Sequence, residues 1–186
     1  MTALPFLYGD WKIKYAEIWL DQISAVKKQF GDSILNVVSF AEPETDVPVI
    51  ICQKDSVVDV LRFLKTDSSC EYLFLADLTA TDETPRLVRF DVVYQLFSHK
   101  YKCRIRVKTP VGENEQVPTA VGLWKGVNWA EREVWDMFGI QFSGHPDLRR
   151  ILLDERWQGH PLRKDYPLRG YQCFSTPEPI NPELLK

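Results

Sequence analysis

Three carboxylates and two histidines crowd one stretch of this 186-residue chain: Glu131, Glu133, Asp136, His145 and His160. A carboxylate beside an imidazole can shuttle protons, so Glu133, Asp136 and His145 form a candidate acid–base set. That enzymatic reading requires a pocket around all three and turnover by the chain alone. Two carboxylates can also work as a dyad, but at about 100° per residue Glu131 and Glu133 splay apart on a helix. Two histidines can hold a metal. Here they stand fifteen residues apart, each directly before a proline, with no helical HxxxH or HExxH unit. A hydrogen-bonded anchor in a turn is the simpler role. No Gly-rich loop joins a strand to a helix, and no nucleophile elbow occurs. Asp77, Asp82 and Glu83 border a turn and read as solvated.

The element that must position these groups is a short helix. Asn128 can cap it, with Glu131 at the capping-box spacing, and Gly139 can end it. Ala130, Val134, Met137 and Phe138 share one face. Arg132, Glu133 and Asp136 fall opposite, and Arg132 stands four residues before Asp136 and can brace it. This polar face is either solvated or meets another protein. Beyond Gly139 the composition changes. Gly144-His145-Pro146 recurs as Gly159-His160-Pro161, and basic pairs (Arg149-Arg150, Arg163-Lys164) alternate with Leu148, Ile151, Leu152, Trp157, Leu162 and Tyr166. Glycine and proline make such a segment irregular yet stiff. A segment this apolar needs something to lie on.

These residues carry a resemblance. E-R-E-x-x-D-M-F at Glu131–Phe138, then His145, Arg149 and Arg150-Ile151-Leu152, is similar to the signature of the C subunit of respiratory complex I, the NADH-quinone oxidoreductase. The run G-H-P-L-R-K-D-Y-P, Gly159 to Pro167, resembles that family's second signature. The resemblance implies a non-catalytic structural member of the peripheral arm of a proton-pumping complex, a translocase passing electrons from NADH to quinone. The equivalent component of a ferredoxin-driven complex or a membrane-bound hydrogenase is the alternative. It implies flavin, iron–sulfur clusters and quinone in the parent complex and no cofactor in this chain. The implied partners are the D subunit, which holds the quinone site, and neighbouring peripheral-arm subunits. The implied location is the cytoplasmic side of the bacterial inner (plasma) membrane, with membrane contact only through the complex. Glu131, Arg132, Glu133, Asp136, His145, Arg149 and Arg150 match the first motif. Gly159, His160, Pro161, Leu162, Arg163, Lys164, Asp165, Tyr166 and Pro167 match the second. Together they are expected to form a partner interface that fixes the extension on its neighbour, with arginine forks meeting carboxylates and Trp157, Leu162 and Tyr166 as apolar anchors.

Composition fits that picture. The net charge of −3 argues against nucleic-acid binding. Residues 1–82 carry 7 basic and 13 acidic side chains, and residues 83–186 carry 16 and 13, so the second half is the basic one. It suits an acidic protein partner better than a phosphate backbone. Cys52, Cys70, Cys103 and Cys173 are dispersed, with no CxxC pair, as expected of reduced cysteines in a cytosolic protein. No apolar run is long enough to span a bilayer, and Met-Thr-Ala-Leu-Pro lacks the features of a signal peptide.

The remaining chain supplies a scaffold. A first helix runs from Asp10 to near Gly31, with Trp11, Tyr15, Ile18, Trp19, Val26 and Phe30 as its core stripe. Ile34–Phe40 and Val47–Cys52 read as a strand pair, with Pro48 at a strand start or an edge. Asp55 or Ser56 caps a second helix with Val57, Val60, Leu61 and Leu64 inward. Tyr72–Ala80, Leu87–Phe97 and Tyr101–Lys108 read as strands. In the last, Tyr101, Cys103, Ile105 and Val107 alternate with a basic stripe of Lys102, Arg104, Arg106 and Lys108. Pro110–Thr119 reads as a loop, and Pro118–Lys125 as a short helix. The order helix, two strands, helix, three strands gives a two-layer α+β domain, and the family resemblance implies a mixed sheet. Residues 1–142 are expected to form this core and end in the signature helix. Residues 143–186 are expected to be an irregular Pro-rich extension that packs on partner subunits, loosely held in the free chain.

Overall fold

The computed structural model describes residues 9–38 and 47–171, with side chains from residue 17. The expectations for the side chains of Asp10, Trp11 and Tyr15, for the strand end at Phe40, for Cys173 and for the proline-dense tail lie outside the described residues. Helix α1 spans Gly9–Phe30, strand β1 Ile34–Val38, β2 Val49–Cys52, α2 Val57–Thr66, β3 Phe74–Asp82, β4 Phe90–Ser98 and β5 Cys103–Val111. β6 (Gln116–Pro118), α3 (Val127–Phe138) and β7 (Gln141–Ser143) follow.

Five strands form one sheet in the order β1-β2-β5-β4-β3. β2 and β5 pair in parallel, while the other neighbours are antiparallel. The parallel pair follows from connectivity, because α2, β3 and β4 all intervene between β2 and β5. The fold is therefore α+β with a mixed sheet. Val57, Val60, Leu61 and Leu64 of α2 are fully buried, as their spacing demands. Trp19 and Val26 of α1, Val134, Met137 and Phe138 of α3, and alternate residues of the strands join them in one core cluster. All three helices therefore cover the same face of the sheet.

Several boundaries differ from the sequence expectation. β5 continues past Lys108 to Val111, because buried Thr109 and Val111 keep its alternation going. β4 begins at Phe90, since Leu87 projects into solvent from the turn that precedes it. The stretch 110–119 is not all loop, because Gln116–Pro118 pairs in parallel with Gln141–Ser143. Turns, not a helix, fill residues 119–126. The N-cap of α3 is Gly126 rather than Asn128, with no side-chain cap. Glu131 is thus free for another role. The short β6–β7 ladder sets Thr119 beside the point where the chain leaves the core, with the Thr119 amide donating to the Ser143 carbonyl.

Candidate functional site

From Gly144 onward the described chain has no helix or strand, yet it lies pinned along α3 as a strap. Asp136 organises it. The carboxylate is fully buried; its Oδ2 accepts the backbone amides of Ile151, Leu152 and Leu153 at 3.1, 2.9 and 3.0 Å, and its Oδ1 accepts Arg150 Nη1 at 2.5 Å. Burial alone would raise its pKa, but three amides and a guanidinium outweigh that and hold it below the ordinary aspartate value. Arg150 also donates to the carbonyls of Trp157 and Gly159, closing the intervening loop. Arg132, expected to brace Asp136, instead donates to the carbonyls of Arg149 and Arg150. A run of carbonyls and a run of amides from one irregular segment are thus satisfied by two side chains of α3.

The polar side of α3 is therefore covered for the most part by the chain itself rather than solvated. Arg132 and Asp136 are buried under the chain's own strap, and only Glu133 is exposed. Hydrophobic periodicity finds the one apolar face of α3 and cannot show that an ionic face is buried as well.

At the strap's root, Glu131 is also fully buried. It accepts the Ala120 amide at 2.8 Å and the Thr119 hydroxyl at 2.5 Å. Two hydrogen bonds do not offset its burial, which pushes its pKa up to about 7. His145 Nε2 lies 3.9 Å from it, with the ring side chain fully enclosed. His145 Nδ1 accepts the Asp147 amide, so Nε2 carries the hydrogen and donates to the Asn128 carbonyl at 3.2 Å. His145 is an anchor in a turn, as expected.

The second motif clasps the far end. His160 Nδ1 donates to the backbone carbonyl of Asp136 at 3.0 Å, and the Leu162 amide donates to the Met137 carbonyl. Arg163 donates to the Phe138 carbonyl at 2.6 Å and to Glu113 at 2.9 Å. Gly139 caps α3 with φ +78°, and a Cβ there would stand 2.6 Å from both Arg163 Nη2 and the His160 ring. The close approach requires glycine on both counts. At Gly159 (φ +83°) a Cβ would stand 2.8 Å from the Tyr166 ring. The Lys164 amide donates to Asp82, and Arg89 joins Asp82 at 2.7 Å to Asp165 at 2.6 Å. Asp82 is therefore buried rather than solvated, and Arg89 holds its carboxyl well below the usual range. Pro161, Tyr166 and Pro167, with Trp157, line a hollow of about 380 Å³. Arg149, Leu162, Lys164 and Asp165 have exposed side chains.

Sequence reasoning missed Arg89, Asp82, Glu113 and Thr119. The first two flank the β3–β4 turn, and their opposite charges were the available signal. Thr119 and Glu113 sit in stretches without periodicity. The candidate acid–base set does not converge: Asp136 is ion-paired, His145 faces Asn128 and Glu133 faces out. Among the described residues no three His, Cys, Asp or Glu side chains gather as a metal site.

Residues 50–172, which include α3 and the whole described strap, match the family described as respiratory-chain NADH dehydrogenase, 30 Kd subunit. The chain belongs to this family. It is 40% identical over 174 residues to the NADH-quinone oxidoreductase C subunit numbered 2 of Rhizobium meliloti (strain 1021), covering 87% of this chain and 90% of that one. It is 44% identical over 149 residues to the NADH-quinone oxidoreductase C subunit of Rhizobium rhizogenes (strain K84 / ATCC BAA-868), covering 80% and 67%. With the corresponding C subunit of Brucella ovis (strain ATCC 25840 / 63/290 / NCTC 10512) the identity is 46% over 147 residues, covering 78% and 70%. No helix among the described residues of this family member is long and apolar enough to cross a membrane.

Proposed function

We propose that this chain is a non-catalytic structural subunit in the peripheral arm of a proton-pumping NADH–quinone oxidoreductase. It sits on the cytoplasmic side of the bacterial inner membrane and docks to the D subunit, which holds the quinone site. Flavin, iron–sulfur clusters and quinone belong to other components of that complex, and this chain supports their electron transfer by holding the arm together. The observation that carries this reading is the two-sidedness of the strap. Its motif side chains Arg150, His160 and Arg163 turn inward onto α3, while Leu152, Leu162, Leu168 and Tyr171 are left more than half exposed. A free-standing protein has little reason to order an irregular segment with so many large apolar groups facing water. Each such leucine is worth about 1.5–3 kcal/mol when a partner buries it. In this reading the motif residues build the interface from beneath, and the outer leucines make the contact.

The test is assembly. A tagged full-length chain extracted from membranes in mild detergent is expected to co-purify with the D subunit and with NADH–quinone reductase activity. Deleting the gene is expected to abolish that activity. The pair Leu152→Glu/Leu162→Glu is expected to leave the isolated chain folded but absent from the complex. Recovery of the wild-type chain alone, with activity intact in the deletion strain, would refute the assignment.

A further inference from the structure

The sheet has a second face, away from the three helices, which the strap does not use. On β5 the buried residues Cys103, Ile105 and Val107 point into the core, so Arg104, Arg106 and Lys108 point out of it. The register places Arg106 between Val49 of β2 and Gln95 of β4, and Lys108 beside Val93. Val49 and Val93 are only 3% and 4% exposed, yet neither belongs to the core cluster under the helices. They mark an apolar floor on the outer face, against which the methylene stems of Arg106 and Lys108 can lie.

The cationic heads on this floor are short of anions. Arg104 is exposed and has no ion pair among the described residues. Arg106 donates to the neutral Gln95 amide. Lys108 stands 3.9 Å from Asp91, whose carboxylate is already paired with Arg86. Asp77 faces the same hollow of about 230 Å³ as Arg104 and Arg106, but it accepts the amide of Leu78 at the sheet edge. The result is a basic row roughly 13 Å long, given about 3.4 Å per strand residue. It lies in a chain that is acidic as a whole.

We propose that this face docks an acidic segment of a neighbouring protein of the complex, with Arg104 and Arg106 forking onto its carboxylates. The inference rests on the reading of the chain as one component of a larger assembly. Charge complementarity selects the occupant. A row this short matches three or four residues of an extended acidic peptide, and planar guanidinium groups pair two-pronged with carboxylates.

The experiment uses the assembled complex in native membranes. The photo-crosslinking substitution Arg104→p-benzoylphenylalanine is introduced, the membranes are irradiated, and the adduct is sequenced by mass spectrometry. A cross-link to an Asp/Glu-rich peptide of another protein of the complex is expected. A cross-link only to this chain's own Glu42–Asp46 stretch, to lipid, to a neutral peptide or to nothing overturns the proposal. In parallel, Arg104→Glu/Arg106→Glu is expected to lower recovery of the chain in the complex by about tenfold, while the free variant keeps its far-ultraviolet circular dichroism. The charge-conserving Arg104→Lys/Arg106→Lys is expected to lose less than about threefold. Wild-type recovery of the charge-reversed pair overturns the proposal but leaves the assembly reading intact. A wild-type chain that never enters a complex overturns both.

Discussion

The two halves of α3 each enclose a carboxylate, and they set its charge in opposite ways. Around Asp136, in the C-terminal half, the strap turns three amides and a guanidinium onto one carboxylate, and the charge is held. Around Glu131, in the N-terminal half, a carboxylate equally hidden from solvent but set deeper in the protein meets one amide and one hydroxyl, and burial prevails. Being hidden from water therefore does not fix the charge. Depth and donors act together: four donors at the shallower site make an ionic clamp, and two at the deeper one leave a group that takes up a proton near neutral pH.

Asp136→Ala should break the clamp and have the largest effect. It leaves Arg150 without its anion and three strap amides without an acceptor, so a loss of about 3–5 kcal/mol in urea unfolding is expected. Glu131→Gln tests the other half through pH. The folded chain holds the Glu131 proton more tightly than the unfolded chain does. The stability from this group is therefore full below about 4.5 and is lost as pH rises through about 7. Wild type should lose on the order of 2–4 kcal/mol across that window. Glu131→Gln should flatten the dependence and match or exceed wild type at pH 8. Glu133→Gln, on the exposed side of the same helix, should change stability by less than about 0.5 kcal/mol at any pH in the window. An equal response of Glu133 and Asp136 would end the comparison.

How far the chain could be read in advance follows the same division. Val57, Val60, Leu61 and Leu64 read as a buried helix stripe and are one, because apolar burial leaves a periodic trace. The alternation of Cys103, Ile105 and Val107 likewise gives β5 and its faces. Trp19 was legible only as a core residue, and its indole N–H bond to the Arg104 carbonyl was not. β6 and β7 are three residues each, too short to show a period, yet they place Thr119 against Glu131. The strap's fold was illegible for a different reason. It is set by single polar contacts between distant residues, such as Arg89 with Asp165, that carry no local pattern. The two motifs marked which residues matter, and only the structure shows that Arg132, Asp136, Arg150 and Arg163 work within the chain.

That shift alters what is expected of the free protein. From sequence, an extension without regular structure should be loose until a partner orders it. With Asp136 supplying its acceptors, the middle of the strap should be ordered by the chain itself. Amide hydrogen exchange on the isolated full-length chain decides the matter at Ile151, Leu152 and Leu153, whose amides donate to Asp136, and at Leu162, whose amide donates to the Met137 carbonyl. In the wild-type chain these four amides should exchange at least about a hundredfold more slowly than in the unfolded chain. In Asp136→Ala the first three should exchange at unfolded rates while those of α2 stay protected. Unfolded-chain rates at all four positions in the free wild-type protein, with protection appearing only in the assembled complex, would mean that partners rather than α3 hold the strap.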